Sequence, residues 1–212
     1  MYVMPSNNNK SILHFWAGKG YDVGWLFSPD AGTRFPFPWM TYAIDNGRFS
    51  VWDRGTEWNE QTFLSMVEHY ATIPHRPRWV AVPDVVSDRD ETLREWERWF
   101  PVLSSSFDVP FAFVAQDGMS PDDVPSEASV VFVGGSYVWK WRNLKTWTEA
   151  HDRVHVGRVN SFEHLIYCRS LGVESVDGTG WFRHPKRTDD LEKFLRIDAG
   201  EQKHPEQLEL FA

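Results

Sequence analysis

The chain contains 212 residues with a formal net charge of −8; 42% of the residues are hydrophobic and 25% are charged. This length supports one substantial core, and no apolar run approaches the roughly 20 residues that a bilayer-spanning helix requires, so a membrane-spanning protein is excluded. One cysteine, Cys168, excludes an internal disulfide and a multi-cysteine zinc site, and the eight histidines follow no metal-ligand spacing. We therefore expect no metal and no cofactor, and the absence of a secretion-signal pattern predicts a cytoplasmic protein.

Seven short apolar runs, rich in Val, Phe and Tyr, are predicted as strands. In chain order they are SILHFWAG (11–18), WMTYAIDNG (39–47), RWVAVPD (78–84), PFAFVAQDG (110–118), SVVFVGGS (129–136), RVHVGRV (153–159) and VESVDGTG (173–180). Because these runs are nearly continuous rather than alternating, they favour strands that are buried on both faces, as in a parallel sheet.

Helical patterns separate several of these runs, at residues 59–73, 88–103 and 161–172. Ser87 followed by Asp90 resembles a capping box, and Gly172 suits the position just after a helix. The alternation predicts an α/β fold, a small or incomplete (β/α)8 TIM-like barrel without a zinc subdomain, and an open doubly wound sheet is the alternative. One domain is expected over residues 1–197, followed by a polar tail over 198–212.

Polar residues and glycines follow the predicted strands, at the edge where the active sites of such barrels lie. They are Asp45, Asp84, Gln116, Gly134 with Gly135, His155 with Arg158, and Asp177. Each has a local alternative: Asn-Gly after Asp45 is typical of a hairpin, Asp84 could cap a helix, and both glycine-containing sites could be turns. Their recurrence at successive strand ends favours a common site.

These residue types suit the handling of a polar heterocycle. A carboxylate can accept hydrogen bonds from the N–H edge of guanine, and an amide can read its carbonyl or ring nitrogen. A second carboxylate could attack an anomeric carbon while a third transfers a proton to the departing base.

Three segments resemble the tRNA-guanine transglycosylases. YAIDNGRF resembles their DSGGF segment, FVGGS resembles their paired-glycine loop, and VHVGRVNSFEHLIYCRSLGVESVDGTGWFRHP is similar to their closing βαβ stretch. The resemblance runs from about Thr41 to Pro185 and implies a barrel that exchanges guanine for a 7-deazaguanine. It implies that Asp177 is the nucleophile, that Asp45 is the general acid and base, and that the base is held by Asp84, Gln116, Gly134 and Gly135.

Two departures from the family concern the nucleic acid. The single cysteine cannot form the family's zinc site, and Arg48 stands where the tRNA enzymes have glycine. The chain therefore looks closest to the relatives of phages and bacteria that insert 7-deazaguanines, such as preQ0, into DNA. Its target base would have to be flipped out of the helix, and the candidate backbone contacts are Arg158, Arg183, His184, Lys186 and Arg187.

Charge distribution and the tail bear on the same partner. Residues 138–187 carry nine Lys or Arg against five Asp or Glu, which indicates either a basic face or a mixed solvated surface. The C-terminal QLELF resembles the peptide by which bacterial DNA-repair proteins bind the sliding clamp. The predicted clamp contacts are Gln207, Leu208, Leu210 and Phe211, unless the segment packs back on the domain.

The same residues leave other activities open. A DNA glycosylase would use the site with water as the second nucleophile. A tRNA-guanine transglycosylase would act on tRNA, the family's substrate. A non-catalytic module would bind DNA or the clamp and perform no chemistry.

Overall fold

The computed structural model describes residues 1–6, 11–29 and 37–201. Its eight parallel strands form a nearly closed barrel surrounded by helices, which confirms the predicted (β/α)8 architecture. The strands are β1 (Tyr2–Pro5), β2 (Gly24–Phe27), β3 (Thr41–Ile44), β4 (Val80–Ala81), β5 (Phe111–Ala115), β6 (Val130–Val133), β7 (Val154–Val156) and β8 (Ser175–Gly178). They pair in the order β1-β8-β7-β6-β5-β4-β3-β2, and parallel bridges from Val3 to Val23 and from Ser6 to Leu26 join the two ends.

Seven helices are described around the strands. They are α1 (Ser11–Gly18), α2 (Arg48–Arg54), α3 (Glu60–Ala71), α4 (Arg89–Ser106), α5 (Tyr137–Ala150), α6 (Phe162–Ser170) and α7 (Pro185–Asp198). A short 3-10 helix, Pro121–Asp123, precedes β6. No helix in the described ranges is long and apolar enough to cross a bilayer.

One predicted strand is wrong, and two strands were missed. SILHFWAG forms α1, where Leu13 and Trp16 are buried three residues apart, the spacing of one helix face. The missed strands β1 and β2 are four residues each, too short for their apolar letters to stand out. Thus six of the seven predicted strands are present, and the two missed strands, β1 and β2, complete the eight strands of the barrel.

Alternate residues along each strand face different cores. One set, which includes Met4, Leu26, Ala43, Val114 and Phe132, forms a compact cluster inside the barrel. Their neighbours in the strands join a larger cluster with helix residues between the strands and the outer layer. The period of two explains why the runs are apolar throughout, since both faces are covered.

Helix boundaries follow local capping. The N-cap of α4 is Asp88, whose side chain accepts from the Glu91 N–H at 3.0 Å, so the predicted Ser87–Asp90 capping box is one residue out of place. Gly172 follows α6 at φ 73°, as predicted for a helix-terminating glycine. The helix α7 ends at Asp198, where the tail was predicted to begin; residues 202–212 lie outside the described part of the chain.

Candidate active site

A crevice of about 360 Å³ opens at the carboxyl ends of the strands. Its lining includes Asp45, Asp84, Gln116, Gly135, Arg158 and Asp177, which all come from the strand ends singled out in the sequence. Gly134 lines it as well. The barrel therefore brings the predicted catalytic and base-binding residues to one site, because parallel strands deliver their carboxyl ends to the same face.

Asp177 lies on β8 and points into the barrel, with only 5% of its surface exposed. The Ser6 hydroxyl is 3.2 Å from its Oδ1, and His155 Nε2 is 3.2 Å from its Oδ2. Each carboxylate oxygen thus has a partner on the barrel side, which orients the carboxylate toward the crevice.

His155 is fully buried on β7, opposite Ser175 in the β7–β8 pairing. Its Nδ1 lies 2.8 Å from the Ser175 hydroxyl, and its ring packs edge-on against Trp79 and Phe132, with centroids at 4.7 and 4.5 Å. When the serine hydroxyl donates to Nδ1, the proton of the neutral ring lies on Nε2 and points at Asp177. The sequence analysis placed His155 at a strand end and gave it no role. The pattern that could have indicated one is a polar residue between two valines of the predicted strand RVHVGRV.

Asp45 follows β3 and is half-buried at the crevice wall. Burial, with the nearby charges of Asp177 and Asp84, raises the pKa of its carboxyl to about 7, while the backbone N–H groups of Gly47 and Asn46 oppose the shift. A group with this pKa can carry or accept a proton near neutral pH, which a general acid and base must do.

Asp84 lies in a fully connected polar network. Asn46 Nδ2 donates to its Oδ1 at 2.8 Å, and Gln116 Nε2 donates to its Oδ2 at 2.6 Å. Burial raises the pKa of Asp84 to about 6, although both hydrogen bonds and the charge of Arg48 favour its ionised form. The sequence missed Asn46 because Asn-Gly resembles a turn; the structure instead begins α2 directly after Gly47.

The paired glycines are held by hydrogen bonds within the protein. Gly134 N–H donates to the Ala115 carbonyl at 3.0 Å, and Gly135 N–H donates to Gln116 Oε1 at 3.1 Å. Gly135 has φ 62°, and a Cβ there would lie 2.5 Å from the Trp139 ring, so glycine is required at this position. The predicted role of these two glycines in holding a base remains a prediction.

Arg158 is placed inside the crevice. Its guanidinium carbon lies 4.1 Å from the ring centroid of Phe49 on α2, and its Nη2 donates to the Gly135 carbonyl. Its φ is 60°, and the only other non-glycine residue with positive φ in the described ranges is Ser87, whose N–H donates to Gln116 Oε1 at 2.9 Å. Both strained residues thus belong to the loops around the crevice.

The other predicted backbone contacts are exposed. Arg183, His184, Lys186 and Arg187 lie in the loop after β8 and the first turn of α7, and Arg183 also lines the crevice. Their contact with a nucleic-acid backbone remains a prediction. The predicted clamp contacts, Gln207, Leu208, Leu210 and Phe211, lie outside the described residues.

Within residues 1–6, 11–29 and 37–201, no three His, Cys, Asp or Glu side chains form a group that could hold a metal ion. No protein-family model matches the chain, and no curated protein matches it either.

Proposed function

We propose that the protein is a DNA guanine transglycosylase, which exchanges guanine for a 7-deazaguanine derivative through a covalent intermediate on Asp177. The observation that carries the proposal is the convergence of Asp45, Asp84 and Asp177 on one crevice, with two of the three carboxyls raised to near-neutral pKa values. The sequence resemblance to the transglycosylases supports the same assignment.

In the first step, an oxygen of Asp177 attacks C1′ of the target nucleotide and the bond from C1′ to N9 of guanine breaks. Asp45, which holds a proton up to about pH 7, transfers that proton to the departing base. In the second step Asp45 takes the N9 proton of the incoming 7-deazaguanine, whose N9 attacks C1′ and releases Asp177. Atoms and charges balance over the two steps without any other reactant.

The size of the crevice supports a flipped nucleotide as the substrate. A volume of about 360 Å³ lies at the small end of ligand sites and suits one nucleotide rather than a duplex. The exposed Arg183 lies in the loop that follows Asp177, and Lys186 and Arg187 lie in the first turn of α7, where all three can contact the phosphates that flank the extruded nucleotide.

The test uses single- and double-stranded oligonucleotides with labelled 7-deazaguanine, and a parallel arm with tRNA. Wild type is expected to incorporate label into DNA and to form a protein–DNA adduct that survives denaturation. Asp177→Asn is expected to reduce both by at least about 1,000-fold, because the nucleophile is lost. Asp152→Asn, at an exposed carboxylate that does not line the crevice, is the matched control and is expected to retain activity.

Three results would replace the proposal. Abasic sites that form without any added base would show hydrolysis, and label in tRNA but not in DNA would show the family's ordinary substrate. Absence of both adduct and label, with Asp177→Asn identical to wild type, would show that the crevice does not perform this chemistry.

A further inference from the structure

Arg158 was predicted to contact the nucleic-acid backbone, but its position in the crevice suits another partner. A guanine presents donors at N1 and N2 and acceptors at O6 and N7, so a site that binds it needs hydrogen-bond donors as well as carboxylates. The four aspartates of the crevice, Asp45, Asp53, Asp84 and Asp177, supply acceptors in excess. The donors therefore decide how the acceptor edge of the base is bound.

Several candidate hydrogen-bond donors at this site already donate to other groups of the protein. Asn46 Nδ2 donates to the Val82 carbonyl at 2.9 Å and to Asp84 at 2.8 Å, which uses both of its hydrogens. The N–H groups of Gly134 and Gly135 donate to Ala115 and Gln116, as described above. These groups build the wall of the crevice, and a base would have to displace existing hydrogen bonds to use them.

Arg158 has further N–H donors in the same crevice. A guanidinium carries five N–H groups in a planar fork, and the bond to the Gly135 carbonyl uses only one side of it. The contact with the Phe49 ring, 4.1 Å from the guanidinium carbon to the centroid, holds the guanidinium within the crevice lining. Asp177 and Asp117 lie close enough to interact electrostatically with the guanidinium, which keeps the cation at the reaction site rather than on the outer surface.

The backbone that presents Arg158 is itself held in place. The positive φ of Arg158 is unfavourable for a residue with a Cβ, and such conformations persist where surrounding contacts enforce them. Lys140 supplies one of these contacts, since its amine, only 1% exposed, donates to the carbonyl of Gly157, the preceding residue. This buried hydrogen bond holds the peptide that leads into Arg158, in the β7–α6 loop.

We infer that Arg158 is a specificity-determining residue that binds the O6 acceptor edge of the base, opposite the carboxylates that accept from its N–H edge. The inference rests on the proposed function and adds the chemistry by which the base is selected. A phosphate of the flipped nucleotide is the other acceptor that a guanidinium could bind, and the experiment separates the two.

The test compares oligonucleotides whose target base is guanine, hypoxanthine or 2-aminopurine. Hypoxanthine keeps O6 and N1–H and lacks the 2-amino group, whereas 2-aminopurine keeps the amino group and lacks both O6 and the N1 proton. We expect wild type to favour guanine over 2-aminopurine by at least about 5- to 150-fold in kcat/KM, the range for a bidentate contact to a base. Arg158→Ala should reduce this preference by the part that O6 contributes, and should keep its preference for guanine over hypoxanthine.

Two further variants separate base from phosphate. Arg158→Lys keeps the charge but not the fork, so it should also reduce the preference against 2-aminopurine, whereas a phosphate contact would tolerate it. Lys186→Ala, at an exposed cation outside the crevice lining, is the control. It should weaken the binding of all three substrates equally, and it should reduce by about one the slope of log affinity against log salt concentration. If Arg158→Ala behaves like Lys186→Ala, the inference is wrong.

Binding of free 7-deazaguanine, measured by calorimetry, distinguishes failure of the inference from failure of the proposed function. If wild type binds the free base and modifies DNA but Arg158→Ala keeps wild-type selectivity, only the assignment of Arg158 fails. If wild type neither binds the base nor forms an adduct, both the proposed function and the role of Arg158 are wrong.

Discussion

Replacement of Asp45 by asparagine should abolish catalysis and stabilise the fold, in a manner that depends on pH. The native state holds a proton on Asp45 up to about pH 7, whereas the unfolded chain releases it near the ordinary value of 3.8. Between these pH values the native state binds more protons than the unfolded state, so the free energy of unfolding falls as pH rises. This decrease in the free energy of unfolding is complete above about pH 7. It does not occur in the variant, which has no carboxyl at this position.

The magnitude follows from the size of the pKa shift. A shift of about three units would correspond to about 4 kcal/mol for a group with no access to water. Because Asp45 is half-buried at an open crevice, water screens its charge, and we expect a gain of about 1–2 kcal/mol at pH 8. The asparagine Oδ1 can still accept from the backbone N–H groups that contact the carboxylate, so little is lost in exchange.

Urea unfolding followed by tryptophan fluorescence, at pH 4.5, 6, 7 and 8, measures this difference. Asp84 changes wild-type stability in the same direction, since its pKa is also raised, but it remains in both proteins and largely cancels in the comparison. Asp53→Asn serves as the control, because that carboxylate is exposed to water. A difference between Asp45→Asn and wild type that is equal at pH 4.5 and pH 8 would refute the reasoning.

Four further outcomes are expected. His155→Phe should slow adduct formation at Asp177 by about 10- to 150-fold, the loss of one hydrogen bond to a charged group, whereas His155→Gln, which can place an N–H near the same point, should retain more activity at an unchanged DNA affinity. Gly178→Ala should destabilise the fold by about 1–3 kcal/mol, measured by urea unfolding, because its Cβ would lie 2.3 Å from a backbone carbonyl oxygen. The rate of adduct formation should fall above about pH 7 as Asp45 loses its proton, and a pH-independent rate would contradict its role as the acid. Removal of residues 202–212 should abolish binding to a bacterial sliding clamp in a pull-down and leave base exchange intact.

Much of the barrel was predictable because its strands and helices leave strong local patterns. Continuous apolar runs identified β3 to β8, and helical periodicity identified α3, α4 and α6. The pattern failed where an element was too short to show a period, as in β1, β2 and α2, and where a buried helix was apolar enough to resemble a strand, as in α1. It also left α5 and α7 unidentified, although each is 14 residues long.

The candidate site divides in the same way. The sequence by itself determined which residues stand at the strand ends, and hence that Asp45, Asp84, Gln116 and Asp177 share one face, because chain order and parallel pairing decide that face. Only the tertiary structure decided their hydrogen-bond partners: His155 behind Asp177, Asn46 beside Asp84, and Lys140 beneath the loop that carries Arg158. Such contacts join residues far apart in the chain, and their distances and burial, which set the pKa values, exist only once the barrel has closed.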